Sequence, residues 1–305
     1  MRFLYASDLH GKAKNPISRI DDYSCSWLMK IDEIIQISHR EKCESVIING
    51  DVFDSYSISN VLIDEFIDRI ESQSIIWYIV VGNHDLIGAN WENSKASTLA
   101  HIFRRSKKIR KLDTLQSKDW MIQGYHYYFG IEERINDEGL NHNLKNQFTI
   151  AIPHALLTVK PFFKNVSQVI AKDLQTNYDL ILCGHLHTKF DKTIKGTRFL
   201  NLSSIGRTAI NEQHQPEVAI ISTETREIKK IELKSAKPVN EIFDLSKYEE
   251  LKKQKKSIDE FIKDLNSAEW TQLDILGQIE KFAKENKFEK KIVDYILEKV
   301  RKRDE

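Results

Sequence analysis

The fold of this chain follows from the stretch Val46-Ile47-Ile48-Asn49-Gly50-Asp51-Val52-Phe53-Asp54, in which an apolar run leads into a glycine and two carboxylates. A short run of β-branched residues that ends at a glycine is typical of a buried β-strand. Side chains that follow such a strand lie at one rim of its sheet. The stretch therefore predicts a strand that delivers Asp51 and Asp54 to a functional edge.

The same arrangement recurs along the first two-thirds of the chain. Apolar runs directly precede the motifs Asp8-Leu9-His10, Gly82-Asn83-His84-Asp85, Pro153-His154-Ala155 and Gly184-His185-Leu186-His187. Helical patterns lie between the first three apolar runs of the chain, at 27–37 and 62–70. Alternating strands and helices predict an α/β fold, in which ligands sit outside the carboxyl ends of the strands. We expect all these motifs to build one site.

The motifs contain the donor atoms that divalent metal ions use. The predicted ligands are Asp8, His10, Asp51, Asn83, His154, His185 and His187. Oxygen and imidazole donors without cysteine thiolates suit Mn²⁺, Fe²⁺ or Zn²⁺. We expect Asp8 and His10, two positions apart in an extended segment, to hold one ion, and Asp51 to bridge two. Two adjacent ions can activate water and clamp both oxygens of a phosphoryl displacement.

His84 adjoins the predicted ligand Asn83 but is not needed as a ligand. We expect it to protonate the leaving oxygen as a general acid, or to stabilise the charge of the transition state. The Asp54 carboxylate could orient His84 by accepting its second ring proton. A single Asp-x-His or Gly-x-His is common in proteins that bind no metal. The hypothesis therefore depends on all five donor motifs in their order and spacing.

In this order, the motifs resemble the signature of the calcineurin-like metallophosphoesterases over residues 1–235. The stretches 50–54, 182–188 and 201–207 most resemble the SbcD-type nuclease subunit of a DNA double-strand-break repair complex, and its bacterial and phage relatives. The resemblance implies a four-layer αββα sandwich with a small C-terminal α-helical region. It assigns one ion to Asp8, His10, Asp51 and His187, and the other to Asp51, Asn83, His154 and His185.

The resemblance also implies a DNA nuclease, with exonuclease or endonuclease action, that works with a separate SbcC-like ATPase. One alternative is a phosphodiesterase for small nucleotides or a protein phosphatase. Another is a scaffold that has kept the fold without catalysis. A basic segment and a long tail favour the nuclease over a minimal phosphodiesterase, which needs neither. A scaffold would be expected to lose His84 first, and His84 is present.

Composition describes a globular protein of 305 residues, with 41% hydrophobic and 30% charged residues. No apolar stretch approaches the roughly 20 residues needed to span a bilayer. The start of the chain runs straight into the Asp8 motif and leaves no room for a signal peptide. The 3 cysteines show no Cys-x-x-Cys spacing and predict reduced thiols. We therefore expect a cytoplasmic protein that does not bind membranes.

A net charge of +1 does not by itself indicate a nucleic-acid-binding protein, but cations are concentrated at 104–111. In one interpretation, Arg104, Arg105, Lys107 and Lys108 contact DNA phosphates beside the active site. In the other, they form the solvated end of a helix, where cations are favoured.

The chain changes character near Ser235, where we place the boundary between a domain at 1–235 and a helical region at 236–305. The apolar stripes of this region, at 258–265 and 292–300 among others, could dock the ATPase or pack on the first domain. The helical patterns at 27–37 and 62–70 could also serve a homodimer.

Overall fold

The computed structural model describes residues 1–128, 131, 134–135, 147–161 and 168–246. The chain divides into two compact units, Met1–Phe243 and Asp244–Glu305. The apolar stripes predicted at 258–265 and 292–300 lie outside the described residues. None of the described helices is long and apolar enough to cross a membrane.

Strands make up the centre of the first unit. In chain order they are β1 (Arg2–Ser7), β2 (Ser45–Asn49), β3 (Ile76–Val80), β4 (Ile109–Lys111), β5 (Thr114–Gln116), β6 (Trp120–Tyr125), β7 (Phe148–Pro153), β8 (Leu157–Thr158), β9 (Val169–Ile170), β10 (Leu180–Cys183), β11 (Phe190–Ile194), β12 (Thr197–Asn201), β13 (Glu217–Ser222) and β14 (Ile228–Glu232). All five strands predicted to precede donor motifs are confirmed, as is the closing pair β13 and β14.

Two six-stranded sheets contain most of these strands. The first has the order β14-β13-β1-β2-β3-β4, and the second has the order β11-β12-β10-β7-β6-β5. The strands β1 to β4 run parallel to one another, and so do β6, β7, β10 and β12. The carboxyl ends of the motif-bearing strands therefore gather at one edge of each sheet. Strands β8 and β9 form a separate two-stranded sheet.

Three helices of the described chain pack on the outer face of the first sheet. They are α1 (Tyr23–Arg40), α2 (Asn60–Glu71) and α3 (Thr98–Arg105). The short 3₁₀ segments η1 (Ile87–Ala89) and η2 (Trp91–Ala96) precede α3, and the single turn α4 (Val239–Ile242) lies near the end of the first unit. The buried stripe of α1, with Trp27, Ile31 and Ile34, packs in the same apolar cluster as the outward side chains of β2 and β3. This amphipathic pattern is the one that predicted the helix.

Three apolar clusters correspond to the layers of the fold. One lies between the helices and the first sheet, and a second, with Tyr5, Ile47, Ile150 and Leu182, lies between the two sheets. A third covers the outer face of the second sheet and includes Ile131. The structure thus confirms the predicted mixed α/β architecture with two packed sheets.

Two buried side chains tie the carboxyl edges of the two sheets together. At the end of β2, the Asn49 amide donates hydrogen bonds to the carbonyl oxygens of Pro153 and Leu182, at 3.0 and 2.9 Å. From β1, the Tyr5 hydroxyl donates to the carbonyl of Cys183 at 2.9 Å. Because these strands end in the donor motifs, the ties bring the donors of both sheets to one seam.

The first unit extends eight residues beyond the boundary that we predicted at Ser235. Ile242 and Phe243 are both buried, and the Ile20 amide donates to the carbonyl of Ile242 at 3.0 Å. The Arg207 guanidinium donates to the carbonyl of Lys237 at 2.7 Å. Residues 236–243 therefore complete the core of the first unit, which the change in sequence character near Ser235 did not indicate.

Candidate metal centre

All seven predicted ligands converge at the seam between the two sheets. Asp8, His10, Asp51 and His154 are almost completely buried, whereas Asn83, His185 and His187 are partly exposed. Parallel strands that end in register put the donors at the same height: Ser7 pairs with Asn49, and Asn49 pairs with Val80. Their roles as ligands stay a prediction, but the structure places them as that prediction requires.

One cluster of donors is formed by Asp8, His10 and His187. The Nε2 atoms of His10 and His187 lie 3.1 Å apart, and the Asp8 Oδ1 lies 3.5 Å from the His187 Nε2. Their rings meet edge to face, with centroids 4.9 Å apart. Two imidazole nitrogens that point at each other beside a carboxylate surround a point where a cation would be held.

A second cluster is formed by Asp51, His154 and His185. The His154 Nε2 lies 3.3 Å from the Asp51 Oδ2 and 3.1 Å from the Asn83 Oδ1, which in turn lies 2.8 Å from the His185 Nδ1. The Asp51 Oδ2 also lies 3.7 Å from the His10 Nε2 of the first cluster. Asp51 therefore stands between the clusters, where a carboxylate can bridge two ions.

The backbone at the centre is left-handed rather than extended at several donors. Asp8, His10, Asp51 and His185 have φ angles of 53°, 49°, 47° and 73°. Our expectation of an extended segment from Asp8 to His10 is therefore wrong, although both side chains reach the centre. Non-glycine residues adopt this conformation at a cost, and such strained positions are concentrated at functional sites. Here the hydrogen bond from the His10 amide to the Asp51 carbonyl, at 2.8 Å, helps to hold it.

Two glycines leave room for the donors. Gly50 has a φ of 72°, and a Cβ atom at this position would overlap the imidazole of His154. A Cβ atom at Gly82 would overlap the carboxylate of Asp51. Glycine is required at both positions because the backbone passes directly against a donor side chain.

His84 is exposed at the mouth of the centre, unlike the buried donors around it. Its ring meets the His10 ring edge to face at 4.9 Å, and its amide donates to the Asp51 Oδ1 at 2.9 Å. The His84 Nδ1 lies 2.9 Å from the backbone carbonyl oxygen of Asp54. Contact with that carbonyl fixes Nδ1 as a donor, which leaves Nε2 free to face a substrate.

We expected the Asp54 carboxylate to orient His84, but it does not contact that ring. Its Oδ2 accepts a hydrogen bond from the Lys12 ammonium at 2.6 Å, and its Oδ1 lies 3.5 Å from the His10 Nδ1. The carboxylate thus supports a predicted metal ligand, and the main chain of the same residue supports His84. A carboxylate behind a metal-binding imidazole fixes its ring orientation.

Charges in the centre are strongly coupled. Burial alone would raise the pKa of the Asp51 carboxyl, but His154, His10 and His84 hold it well below its usual range. Burial lowers the pKa of the His154 imidazole, yet Asp51 overcomes this and raises it to about 9. The pKa of His187 rises to about 10, because contacts with Asp8 and Glu212 outweigh burial. Metal ions that bind here at neutral pH must displace these protons.

The donor set fits divalent cations. Two buried carboxylates face four imidazoles, and the Nε2 atoms of His10 and His187 point at each other 3.1 Å apart. A dense group of buried lone pairs is costly unless protons or cations occupy it. One ion would be held by Asp8, His10, Asp51 and His187, and the other by Asp51, Asn83, His154 and His185.

Sequence reasoning missed Glu212, which lies behind His187. Its carboxylate is buried, and its Oε1 lies 2.5 Å from the His187 Nδ1. The Ser204 hydroxyl and the Ala209 amide donate to the same carboxylate at 2.5 and 2.7 Å. Burial would raise the pKa of Glu212, but its contacts with His187 and Ser204 hold it well below the usual range. No motif or spacing in the sequence marks this residue.

Asp85, the last residue of the Gly82-Asn83-His84-Asp85 motif, is a buried supporting residue. Its buried carboxylate accepts hydrogen bonds from the amides of Gly82 and Phe53, at 2.9 and 3.3 Å. It therefore fixes the loop that carries Asn83 and His84. Burial, followed by the charge of Asp51, raises the pKa of Asp85 to about 7.

Asn201, in the stretch 201–207, supports the centre without entering it. Its amide donates to the carbonyl of Leu186 at 2.8 Å, and its own oxygen accepts from the Ser203 amide at 2.7 Å. This holds the loop between His185 and His187.

The four predicted DNA contacts lie at the end of α3 and just after it. Arg104 and Arg105 are adjacent at the end of α3 and line different pockets. The amides of Lys107 and Lys108 donate to the Glu71 carboxylate at 2.9 and 3.2 Å. Their role in DNA binding stays a prediction.

Removal of the shared carboxylate should affect both ions. We expect Asp51→Asn to lose most bound metal, because Asp51 contacts both clusters, and His10→Ala to lose mainly one ion. Metal analysis of protein reconstituted with Mn²⁺ measures this, with His39→Ala as a control, since His39 is exposed, contacts Gln73 and belongs to neither donor cluster. Retention of two ions per chain by Asp51→Asn would contradict the assignment.

Glu212 should contribute to metal affinity through His187. We expect Glu212→Gln to weaken Mn²⁺ binding by about 10–100-fold, the usual effect of losing a carboxylate behind a ligating histidine. Calorimetric titration of metal-free protein measures this, and Glu232→Gln on the exposed strand β14 is the matched control. Equal affinity in both variants would show that Glu212 only stabilises its loop.

Among proteins of curated function, none matches this chain. A solved archaeal phosphodiesterase is 19% identical, with a TM-score of 0.40, and covers 76% of this chain and 100% of its own. A dimetal phosphatase from Danio rerio is 13% identical, with a TM-score of 0.49 and coverage of 76% and 98%. A phosphoesterase from E. coli is 12% identical, with a TM-score of 0.39 and coverage of 76% and 99%.

The family assignment depends on sequence rather than on these structural likenesses. The family model described as calcineurin-like phosphoesterase matches residues 1–189, which include every predicted metal ligand. Members of this family typically bind two divalent metal ions, and the Asp and His clusters at the seam are able to hold them. The chain belongs to the calcineurin-like phosphoesterase family.

Proposed function

We propose that this chain is a metal-dependent phosphodiesterase whose substrate is DNA. The proposal that the chain hydrolyses phosphodiesters is supported above all by the position of His84, an exposed imidazole at the mouth of a cluster of buried candidate metal donors. A complete donor set together with a positioned acid argues against the scaffold alternative.

The residues divide the work of phosphodiester cleavage. Two divalent ions, when bound, would supply Lewis acidity toward the phosphoryl group and an activated water molecule. His84 donates through Nδ1 to the carbonyl of Asp54, so a protonated ring presents Nε2–H to the leaving oxygen. The amide of His84 donates to Asp51, which couples the position of the acid to the bridging carboxylate. The Asp85 carboxylate holds the loop that carries Asn83 and His84.

DNA is favoured over a small nucleotide by the resemblance of residues 50–54, 182–188 and 201–207 to SbcD-type nucleases. It is also supported by the cations that line the surface next to the Asn83 loop, among them Lys95 and Arg104. The alternative is a phosphodiesterase for small nucleotides, which an assay on DNA and on a small phosphodiester distinguishes. Manganese is the metal that we propose, with Fe²⁺ or Zn²⁺ as the alternatives that the donor set allows.

Replacement of the acid should separate chemistry from binding. With Mn²⁺, we expect the wild-type chain to cleave single-stranded, blunt duplex or hairpin DNA, and His84→Gln to cleave it about 10²–10⁴-fold more slowly. Glutamine keeps a polar group of similar reach but cannot deliver a proton, so metal content and DNA affinity should be unchanged. Labelled DNA and bis-p-nitrophenyl phosphate serve as parallel substrates.

Two outcomes would overturn parts of this proposal. Hydrolysis of bis-p-nitrophenyl phosphate without cleavage of any DNA would favour the small-nucleotide enzyme. Near-normal cleavage of DNA by His84→Gln would remove the role of His84 as an acid.

We also propose that the C-terminal region, outside the described residues, docks a separately encoded SbcC-like ATPase. A chain that ends at Ser246 keeps the whole unit Met1–Phe243. It should fold, bind metal and hydrolyse a small phosphodiester at the full-length rate, but lose ATP-stimulated cleavage of duplex DNA by the pair.

A chain that ends at Ser235 is the informative comparison. It loses the buried side chains of Ile242 and Phe243, each worth roughly 2–5 kcal/mol in a core. Thermal unfolding should therefore show a lower melting temperature than for the Ser246 chain. Full ATP stimulation in the Ser246 chain would contradict the docking proposal.

A further inference from the structure

A pocket of about 300 Å³ opens beside the loop that carries Asn83, between η2, α3 and the edge strand β4. Its walls include the cations Lys95, Arg104 and Lys111, the half-buried rings of Trp91 and Phe103, and no carboxylate. We call it the cationic pocket. Its volume is at the lower end of the range of small-ligand sites, about 300–1,000 Å³.

The charge of the cationic pocket stands out against a chain with 46 basic and 45 acidic residues. Among the described residues, neither Lys95 nor Arg104 forms an ion pair, and Lys111 pairs with Asp113 at 2.8 Å. The Arg104 Nη1 donates to the carbonyl of Lys95 at 3.2 Å, which anchors the guanidinium and leaves its other donors available. Two unpaired cations at one opening attract an anion.

The aromatic wall of the pocket is held in place. The Trp91 indole stacks on the His126 imidazole, with centroids 5.4 Å apart and planes 9° from parallel. His126 in turn accepts a hydrogen bond from the Val81 amide at 3.0 Å. An ordered indole beside cations is the combination that binds nucleotides, because any base can stack on a ring while its phosphate meets the charge.

The cationic pocket adjoins the metal centre through two short connections. Val81 lines the pocket and lies two positions before Asn83, so their Cα atoms are at most about 7 Å apart. His126 contacts Trp91, and the next residue, Tyr127, places its ring 5.8 Å from that of His185. Residues of the pocket wall and residues of the metal centre therefore lie within two positions of one another on two segments of the chain.

We propose that the cationic pocket binds a nucleotide unit of single-stranded nucleic acid next to the scissile phosphate. This inference rests on the proposed phosphodiesterase function and adds a substrate subsite to it. Lys95 and Arg104 contact phosphate, and Trp91 stacks on the base. Arg105, Lys107 and Lys108, which the sequence grouped with Arg104, lie outside the subsite.

Charge-matched variants test the subsite. Lys95→Gln/Arg104→Gln should raise KM for a single-stranded oligonucleotide about tenfold and lower the slope of log affinity against log salt by about 1.4, at about 0.7 per phosphate contact. Lys192→Gln/Lys195→Gln removes the same charge from exposed positions at β11 and just after it, and should have little effect. Both double variants should hydrolyse bis-p-nitrophenyl phosphate at the wild-type rate.

A binding experiment without catalysis tests the ring. In EDTA, oligothymidylate should quench part of the tryptophan fluorescence of the wild-type chain, and Trp91→Phe should lose that part. A free mononucleotide that competes for the signal at similar concentration would show a site for nucleotides in general, whereas competition only by the oligonucleotide shows a site for a strand.

The outcomes distinguish this inference from the function on which it rests. A wild-type chain that does not hydrolyse bis-p-nitrophenyl phosphate would contradict the proposed function itself. Normal hydrolysis with equal KM and salt slope in the two double variants would overturn the subsite alone, and so would fluorescence quenching that is unchanged in Trp91→Phe.

Discussion

The structure depends on one buried carboxylate, that of Asp51, held where two sheets meet. A lone charge in this position would be very unfavourable, and it is stable only because imidazoles from both sheets, His10 and His154, face it. This constraint explains the surrounding chain. Gly82 is needed because its backbone touches the carboxylate, and Asn49 ties the sheets so that His154 can reach it.

Supporting contacts behind the donors then fix their directions. His10 is backed by Asp54, His187 by Glu212, and the loop before His84 by Asp85. Each is a carboxylate that contacts an imidazole or a backbone amide and so restricts its orientation. Among these site residues His84 is the exposed one, which is what its proposed role as an acid toward a substrate requires.

Much of this could be predicted from sequence because strands and donors are local signals. Each donor directly follows an apolar run, and parallel strands align their ends, so one linear pattern implied one site. Glu212 could not be found in this way, since it meets His187 only after the intervening chain has folded back. The left-handed backbone of Asp8 and His10 also escaped, because steric cost argues against it locally and only the tertiary hydrogen bonds maintain it. Arg104 and Arg105 are neighbours in sequence, but successive helical residues point about 100° apart, so they face different pockets.

The central claim is that Asp51 joins two metal ions at the seam of the sheets. Anomalous diffraction from crystals soaked in Mn²⁺ tests it most directly. The account predicts two manganese peaks about 3.5–4 Å apart, both within bonding distance of the Asp51 carboxylate. A single peak, or two peaks of which only one contacts Asp51, would contradict it.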